Sequence, residues 1–491
     1  MNCQQPSLMD HFYSGQQLFG NLANGEWKGN PFITHRHVRE ANPFALETSI
    51  PEQDSVRSAV HDPGAKLAFF FLWCFTVAIY GRPEDIFPFL GQLHLTLVFG
   101  FGAAVTLLGA LLRRSALLLW PSELLIVLLL TAWYAVGVPF AFWPGGSLHA
   151  LIAAWFKTLF VFFLLTQTMV TLERVRKLLW AIILSELFVT FFSIVQSSRV
   201  IWVGERMQGF NRGILSWNLL GIAAAVTIPY IAAIFVARPS FLKTTLLAAA
   251  FLSMIWMLLL TASRGGFFNV VFSIVLTSIL ILRGTPRGTI VAVLTALTLA
   301  VAIGFAPKVF WERLGTVWSA SDNSASEEVS SARESEEDRL GALSRSIRYT
   351  LEHPILGLGF GNFALVSGTD VGRPEAWMGS HNTFTQISSE TGIPALLLFV
   401  GLLFIALRNM KRIANSFPAD SETSEVNLMA RATLASLLSF AFGAFFAHLA
   451  YEYYLFYLIA IACGIQHVAR VSRTASDFTV EPHISDSIWT L

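Results

Sequence analysis

Three polar segments, each beside a long apolar stretch, carry the residue types that could do chemistry. The first is Thr261-Ala-Ser263-Arg264-Gly-Gly266. An arginine at a membrane boundary is costly unless it reaches the surface or has a partner. Ser263 could cap the following helix, and a helix N-terminus beside a guanidinium group binds anions well. The segment therefore predicts an anion site, with a simple flanking arginine as an equal alternative.

The second segment runs from Glu205 to Gly213 and contains Arg206 and Arg212, with Asn218 at the head of the next apolar stretch. Two arginines in a short loop on the side that is otherwise poor in positive charge oppose the usual topological bias. A bound anion would offset that cost. The alternative is a solvated loop with a Glu–Arg pair.

The third segment contains Gly357, Gly359 and Gly361, followed by Asn362. Glycines at alternate positions favour a tight extended turn over a helix. They do not form a dinucleotide-binding fingerprint, because no strand–helix–strand context surrounds them.

Downstream of this turn, His381 and Asn382 precede an apolar run that contains Gly392. A lone histidine is usually structural. His381, however, lies at the membrane boundary on the same side as the arginines, and histidine is the side chain best suited to proton transfer near neutral pH. Two guanidinium groups that hold a diphosphate leaving group, with a histidine that takes a proton from an attacking hydroxyl, would transfer a group without metal or other cofactor.

The elements that must position these residues are membrane helices. The chain is 54% hydrophobic and 13% charged, whereas a soluble domain carries about a quarter charged residues. A spanning helix needs about 20 apolar residues, and windows of that size predict an all-α integral membrane protein of about twelve helices. The predicted spans are 66–80, 93–112, 120–140, 148–170, 178–196, 217–237, 242–261, 265–282, 288–306, 390–408, 430–447 and 449–468.

Lysine and arginine in alternate short loops indicate the orientation, because cytoplasmic loops are enriched in them. The enriched loops contain Arg113, Arg114, Arg174, Arg176, Lys177, Arg238, Lys243, Arg283, Arg287, Arg408, Lys411 and Arg412. The three polar segments then lie outside. The predicted organisation is a largely disordered cytoplasmic segment 1–64, nine helices in 65–306, an outer loop 307–389 with the catalytic motif, three helices in 390–468 and a cytoplasmic tail 469–491.

Within the outer loop, residues 320–338 are rich in Ser and Glu and are expected to be mobile. The stripe formed by Leu340, Leu343, Ile347 and Leu351 predicts a helix that lies on the membrane surface or against the bundle. Arg348, on another side of this helix, is a candidate substrate ligand.

Other polar residues and classes of site are less informative. Lys157 and Glu186, in neighbouring spans, are expected to pair structurally, and Glu452 could line the same outer cavity. The net charge of +1 argues against a nucleic-acid partner. The three cysteines show neither a disulfide framework nor metal-ligand spacing, so no metal site is predicted.

These motifs resemble the bacterial O-antigen ligase and polymerase superfamily over roughly 65–468. The resemblance is carried by Arg206-x-x-Gly209 with Asn218, by Thr261-x-Ser263-Arg264-Gly, and by His353-Pro-x-x-Gly357-x-Gly359-x-Gly361-Asn362 with His381-Asn382 and Gly392. Arg82-Pro83 is similar to a subgroup of O-glycosylation ligases. Trp217-Asn218 departs from the family's common Pro-Asn, and Ile-Pro-Ala follows Gly392 in place of a glycine-rich turn.

The resemblance implies a GT-C-like glycosyltransferase with a large periplasmic loop between helices 9 and 10, in the bacterial inner membrane. Its donor would be a glycan on undecaprenyl diphosphate, and its acceptor a hydroxyl of lipid A–core, of another glycan or of a protein. His381 would be the general base, and Arg264 with Arg206 (less certainly Arg212) would bind the diphosphate. Further expected substrate ligands are Ser263, Asn218, Gly357, Gly359, Gly361, Asn362, Asn382 and Arg348. The reaction would invert the anomeric centre without metal or ATP.

Two other functions are open. A transporter of lipid-linked oligosaccharide suits twelve helices, but its key ionisable residues should lie near the bilayer midplane rather than at the outer rim. A catalytically inactive assembly protein would not need Arg206, Arg264 and His381 together.

Overall fold

The computed structural model of the chain describes residues 63–113, 118–196, 200–203, 206–209, 217–283, 286–315, 327–372, 377–416 and 424–479. The predicted disordered segment falls mainly on residues 1–62, outside these ranges, as do Arg212 and the last twelve residues of the predicted tail.

Twelve helices in the described residues are long and apolar enough to cross a membrane, which confirms the predicted all-α membrane fold. The spanning helices are α1 (Pro63–Gly81), α2 (Leu95–Leu112), α3 (Ser122–Gly137), α4 (Pro144–Thr168), α5 (Leu172–Val195), α6 (Trp217–Val236), α7 (Phe241–Thr261), α8 (Arg264–Leu282), α9 (Pro286–Gly304), α13 (Thr383–Ser416), α14 (Ser424–Gly443) and α15 (Tyr453–Thr479). Three further helices, α10 (Lys308–Gly315), α11 (Glu327–Glu352) and α12 (Phe363–Val371), lie in the loop between α9 and α13. An antiparallel hairpin of β1 (Ile201–Val203) and β2 (Arg206–Gly209) precedes α6.

Helix α6 is the centre of the bundle, and α9 lies at its edge. Most of α6 is buried among α5, α7, α8 and α14, whereas only 6% of α9 is buried. The core is one continuous apolar cluster that includes most of α6 and α15. Because the spans alternate in direction, the ends of α7 and α14 and the starts of α8, α13 and α15 share one side, which we call the His381 face.

Glycines set the closest helix crossing near this face. A Cβ on Gly221 of α6 would lie 2.4 Å from the Cα of Gly266 in α8. Small residues let membrane helices approach until their backbones touch. This crossing holds the first turn of α8 against the centre of the bundle.

The outer loop is more helical than its composition suggests. Residues 327–338 of the segment expected to be mobile are helical, because α11 begins at Glu327. Their mobility stays a prediction.

The apolar stripe of α11 does not pack on the bundle. Leu340, Ile347 and Leu351 are exposed, and α11 buries Ala342 and Tyr349 instead. Leu343 is half-buried, so most of the stripe faces away from the bundle.

The expected Lys157–Glu186 pair is absent from the described residues, so that prediction was wrong. Glu186 is buried and accepts a hydrogen bond of 3.1 Å from Thr227 of α6, whereas Lys157 is exposed. A lysine can extend its ammonium group toward the surface at little cost, so Glu186 finds a neutral partner.

Replacing Gly221 by valine should force α6 and α8 apart. We expect the free energy of unfolding to fall by about 1–3 kcal/mol, the usual effect of overpacking, measured by thermal unfolding of the purified protein. Gly401→Val in α13 is the matched control, because no atom lies within 4 Å of the position of its Cβ. Equal unfolding temperatures for the two variants would show that the crossing tolerates a side chain.

Candidate functional site

The turn between α7 and α8 presents Arg264 at the His381 face. Ala262 adopts the left-handed conformation with φ of 46° and reverses the chain direction. Ser263 then caps α8 as predicted, because its side chain accepts a hydrogen bond of 3.2 Å from the Gly266 amide. Arg264 is the first residue of α8, and its side chain is only 12% exposed.

An ion pair joins this turn to the outer helix. Nη1 of Arg264 lies 2.9 Å from Oε2 of Glu336 on α11. The two residues are 72 positions apart in the chain. The carboxylate is half exposed, so the contact brings α11 across the start of α8 with its acidic end toward solvent.

A second guanidinium group belongs to the same place. Arg339 lies one helical turn after Glu336 and interacts electrostatically with Arg264, His381 and His448. Burial lowers the pKa of Arg339, and the neighbouring charge of Arg264 lowers it further. The site therefore concentrates positive charge.

His381 lies at the edge of this positive region. Its backbone φ is 53°, and its Nδ1 is buried without a hydrogen-bond partner among the described residues. Its ring stands nearly perpendicular to that of His448, with 5.2 Å between centroids. Burial, His448 and Arg339 lower the pKa of His381 to about 3, so the imidazole is neutral at pH 7.

His448 is held beside His381 by the connection between α14 and α15. Thr383 accepts a hydrogen bond of 3.0 Å from the Leu449 amide and donates one of 2.7 Å to the Ala447 carbonyl. Gly379 lies under the His448 ring, where a Cβ would approach ring atoms to 2.7–2.8 Å. The chain on both sides of His381 thus encloses His448.

Asn382, a predicted substrate ligand, caps α13. Its Oδ1 accepts hydrogen bonds of 3.0 Å from the amides of Phe384 and Thr385, and its Nδ2 donates one of 3.4 Å to the Phe445 carbonyl. These contacts orient the turn that carries His381.

The glycine-rich turn packs around a buried carboxylate. Oε1 and Oε2 of Glu390 accept hydrogen bonds from the amides of Phe363 (3.2 Å) and Gly361 (3.1 Å), and Oε2 also accepts one of 2.7 Å from the Tyr451 hydroxyl. Gly357 and Gly361 have positive φ, as the predicted extended turn requires.

Close backbone approach explains the remaining small residues of this turn. A Cβ on Gly392 would lie 1.9 Å from the Ile355 carbonyl oxygen, and one on Gly359 would lie 2.1 Å from the Cβ of Ala141. Asn362 is buried and donates a hydrogen bond of 3.1 Å to the Leu358 carbonyl. In this structure the glycine-rich turn positions α11 and α12 against α13.

Arg348 lies farther along α11 than Arg339, by nine residues or about 13 Å. It pairs with Asp370 of α12, which also accepts a hydrogen bond of 2.9 Å from Tyr349. The structure therefore places Arg348 beside α12 and not beside Arg264.

The second sequence segment is only partly described. Arg206 is the first residue of β2, whose Met207 packs against Met257 and Leu260 near the end of α7. Its backbone thus lies on the same side as the α7–α8 turn. Asn218 lies in the first turn of α6.

The comparison with protein families gives a match to part of the chain. The O-antigen ligase family model matches residues 249–400. This segment is similar to the O-antigen ligases. No curated protein matches the chain.

The match supports a membrane enzyme of O-antigen or related polysaccharide biosynthesis, of the ligase or polymerase kind. The matched segment contains Arg264, Arg339, His381 and Glu390, whereas Arg206 precedes it.

The sequence patterns did not single out Glu336, Arg339 and Glu390 as parts of this candidate site. Glu390 carried a usable signal, because a carboxylate at the start of an apolar span is a functional suspect by default. Glu336 and Arg339 carried none, because their position depends on how α11 lies across α8.

The lowered pKa of His381 predicts how this part of the protein responds to acid. Above about pH 6.5, its usual pKa, His381 is neutral in both the folded and the unfolded chain. Between pH 6.5 and about 3 the unfolded chain takes up a proton that the folded protein does not, so stability falls with pH. The drop in unfolding temperature from pH 7.5 to pH 5 should be smaller in His381→Gln than in wild type.

His353→Gln is the control for this measurement, because it removes one histidine at an exposed position. An identical drop in all three proteins would show that His381 is protonated as readily in the folded state as in the unfolded one.

Removing the Glu390 carboxylate should destabilise the fold around the site. Glu390→Ala leaves the buried amides of Gly361 and Phe363 without their acceptor, and each unsatisfied group costs about 1–3 kcal/mol. We expect a loss of about 2–5 kcal/mol in thermal or denaturant unfolding, with transfer activity lost in parallel. Glu337→Ala, at an exposed position of α11, should unfold like wild type; a stable Glu390→Ala protein would contradict this role.

Proposed function

We propose that the protein transfers a glycan from undecaprenyl diphosphate to a hydroxyl acceptor on the periplasmic face of the bacterial inner membrane. The observation that carries the proposal is that Arg264 and a neutral histidine lie at the same end of the bundle, each interacting electrostatically with Arg339, inside the segment that matches the O-antigen ligases. The positive charge of the opposite loops supports the periplasmic orientation.

Arg264 would act on the leaving group. Its guanidinium can donate two parallel hydrogen bonds to phosphate oxygens. As the bond between the anomeric carbon and the phosphate oxygen breaks, the electron pair stays on that oxygen and the diphosphate gains negative charge. A cation held in a poorly hydrated site stabilises this charge most in the transition state.

His381 would act on the acceptor. The acceptor oxygen forms the new bond to the anomeric carbon, and its proton passes to an imidazole nitrogen of His381. In the empty site, burial and the charge of Arg339 oppose protonation. A bound diphosphate places negative charge beside the histidine, which raises its pKa and makes it a stronger base while donor is present. The step uses no metal in this proposal.

An apolar groove would hold the polyprenyl tail. It runs between α7 and the exposed α9 as two adjoining cavities of about 260 and 570 Å³, both bordered by Leu252 and Thr298. At its His381 end the groove reaches Ala302, which packs with Ala262 two residues before Arg264. A lipid tail lying there would place its diphosphate at the arginine.

The proposal is tested in a deletion strain complemented with wild type, His381→Ala, Arg264→Ala or His353→Ala. We expect the first two variants to lose surface glycan, since a general base alone contributes about 10²–10⁴-fold to the rate. His353→Ala is the matched control, because its side chain is exposed and makes no contact on which the proposal depends.

The intermediates that accumulate distinguish the two enzyme types. Complete chains on the carrier lipid would identify a ligase, and single repeat units would identify a polymerase. Full glycan transfer in both His381→Ala and Arg264→Ala cells, with each protein present at the wild-type level, would refute the mechanism.

A further inference from the structure

Arg339, Arg345 and Arg348 of α11 have different surroundings. Nε of Arg345 donates a hydrogen bond of 2.8 Å to Ser367, and Arg348 pairs with Asp370, so both are bound to α12. Arg339 interacts instead with Arg264 and His381. Only Arg339 among these three belongs to the site.

Two guanidinium groups in one enclosed place repel each other, and burial increases the repulsion. Arg264 is 12% exposed, and Arg339 is only partly accessible. The negative charge of Glu336 reduces this repulsion, because Glu336 pairs with Arg264 and also attracts Arg339. With His381 neutral, these three groups sum to one positive charge, which an anion of higher charge than a carboxylate would balance better.

Glu336 is a weakly held counter-ion. Its side chain is 53% exposed, whereas that of Arg264 is 12% exposed. Water competes for the exposed carboxylate, so Glu336 can exchange this contact for hydration when another anion takes its place beside Arg264. A diphosphate, with several oxygens at the correct spacing, can engage both guanidinium groups at once.

We propose that Arg339 and Arg264 form a two-armed clamp for a diphosphate, and that Glu336 occupies the clamp until the diphosphate displaces it. The inference rests on the proposed function, for which it supplies a second cation and a resting state. Arg339 then binds the donor directly, and the carboxylate swings to solvent when the donor arrives.

Binding of undecaprenyl diphosphate to the purified full-length protein in lipid nanodiscs tests the clamp. We expect Arg339→Gln to weaken binding at least about tenfold, equivalent to about 1.4 kcal/mol, and Glu336→Gln to tighten it several-fold because the competitor has lost its charge. Arg345→Gln and Glu337→Gln are the matched controls on the same helix, and both should bind within about twofold of wild type.

Wild-type affinity in Arg339→Gln, or unchanged affinity in Glu336→Gln, would overturn the proposal. Thermal unfolding shows whether each variant is folded. If Arg339→Gln is not folded, the affinities of Arg339→Lys and Glu336→Gln for undecaprenyl diphosphate replace it in the test, since both substitutions nearly keep the size of the side chain.

Failure of the clamp and failure of the proposed function give different results. Arg339-dependent binding, together with a surface glycan profile that does not depend on the protein, would retain the clamp and remove the transfer reaction. Loss of glycan in His381→Ala cells, with normal binding and transfer in Arg339→Gln, would retain the reaction and remove the clamp.

Discussion

The carboxylate of Glu390 is the contact on which the geometry of the site depends. It lies in a membrane helix and satisfies polar hydrogens from two other parts of the chain, the glycine-rich turn and Tyr451 before α15. In a medium that offers no water, such donors must be satisfied within the protein. One side chain thereby fixes the start of α12 and the approach to α15 against α13. His381 lies two residues before α13, the helix that contains Glu390, so the position of the histidine is tied to that of α12.

Positive charge and a neutral base divide the work at this face. Arg264 and Arg339 come from elements far apart in sequence and interact electrostatically, and Arg339, together with His448, opposes the addition of a proton to His381. These surroundings favour the neutral imidazole. In the proposed reaction, a bound diphosphate would reverse the sign of the nearest charge and so favour proton uptake by the histidine.

The sequence predicted what depends on local composition. All twelve spans follow from windows of apolar residues, and Ser263 was correctly identified as a cap because capping acts within one turn. It left the outcome open where that outcome depends on which surface a helix faces. The leucine stripe of α11 was compatible with a position against the bundle or on the membrane surface, and in the structure Leu340, Ile347 and Leu351 are exposed.

For the same reason Arg348 was chosen in place of Arg339. Both are polar positions on one helix, and only the contact between Glu336 and Arg264 shows which turn of α11 meets α8. The position of α11 along α8 depends on Glu390 and the glycine-rich turn. Both follow Glu336 in the chain, and Glu390 lies more than 40 positions after it. No local pattern contains this information.

The groove beside α9 has a consequence for how a substrate would be supplied. Since only 6% of α9 is buried and the groove opens between two membrane helices, a lipid reaches it by lateral diffusion within the bilayer. The quantity that sets saturation is then molecules per unit area of membrane and not moles per litre. Excess detergent would distribute the donor among many micelles and lower the rate of transfer without any change in the protein.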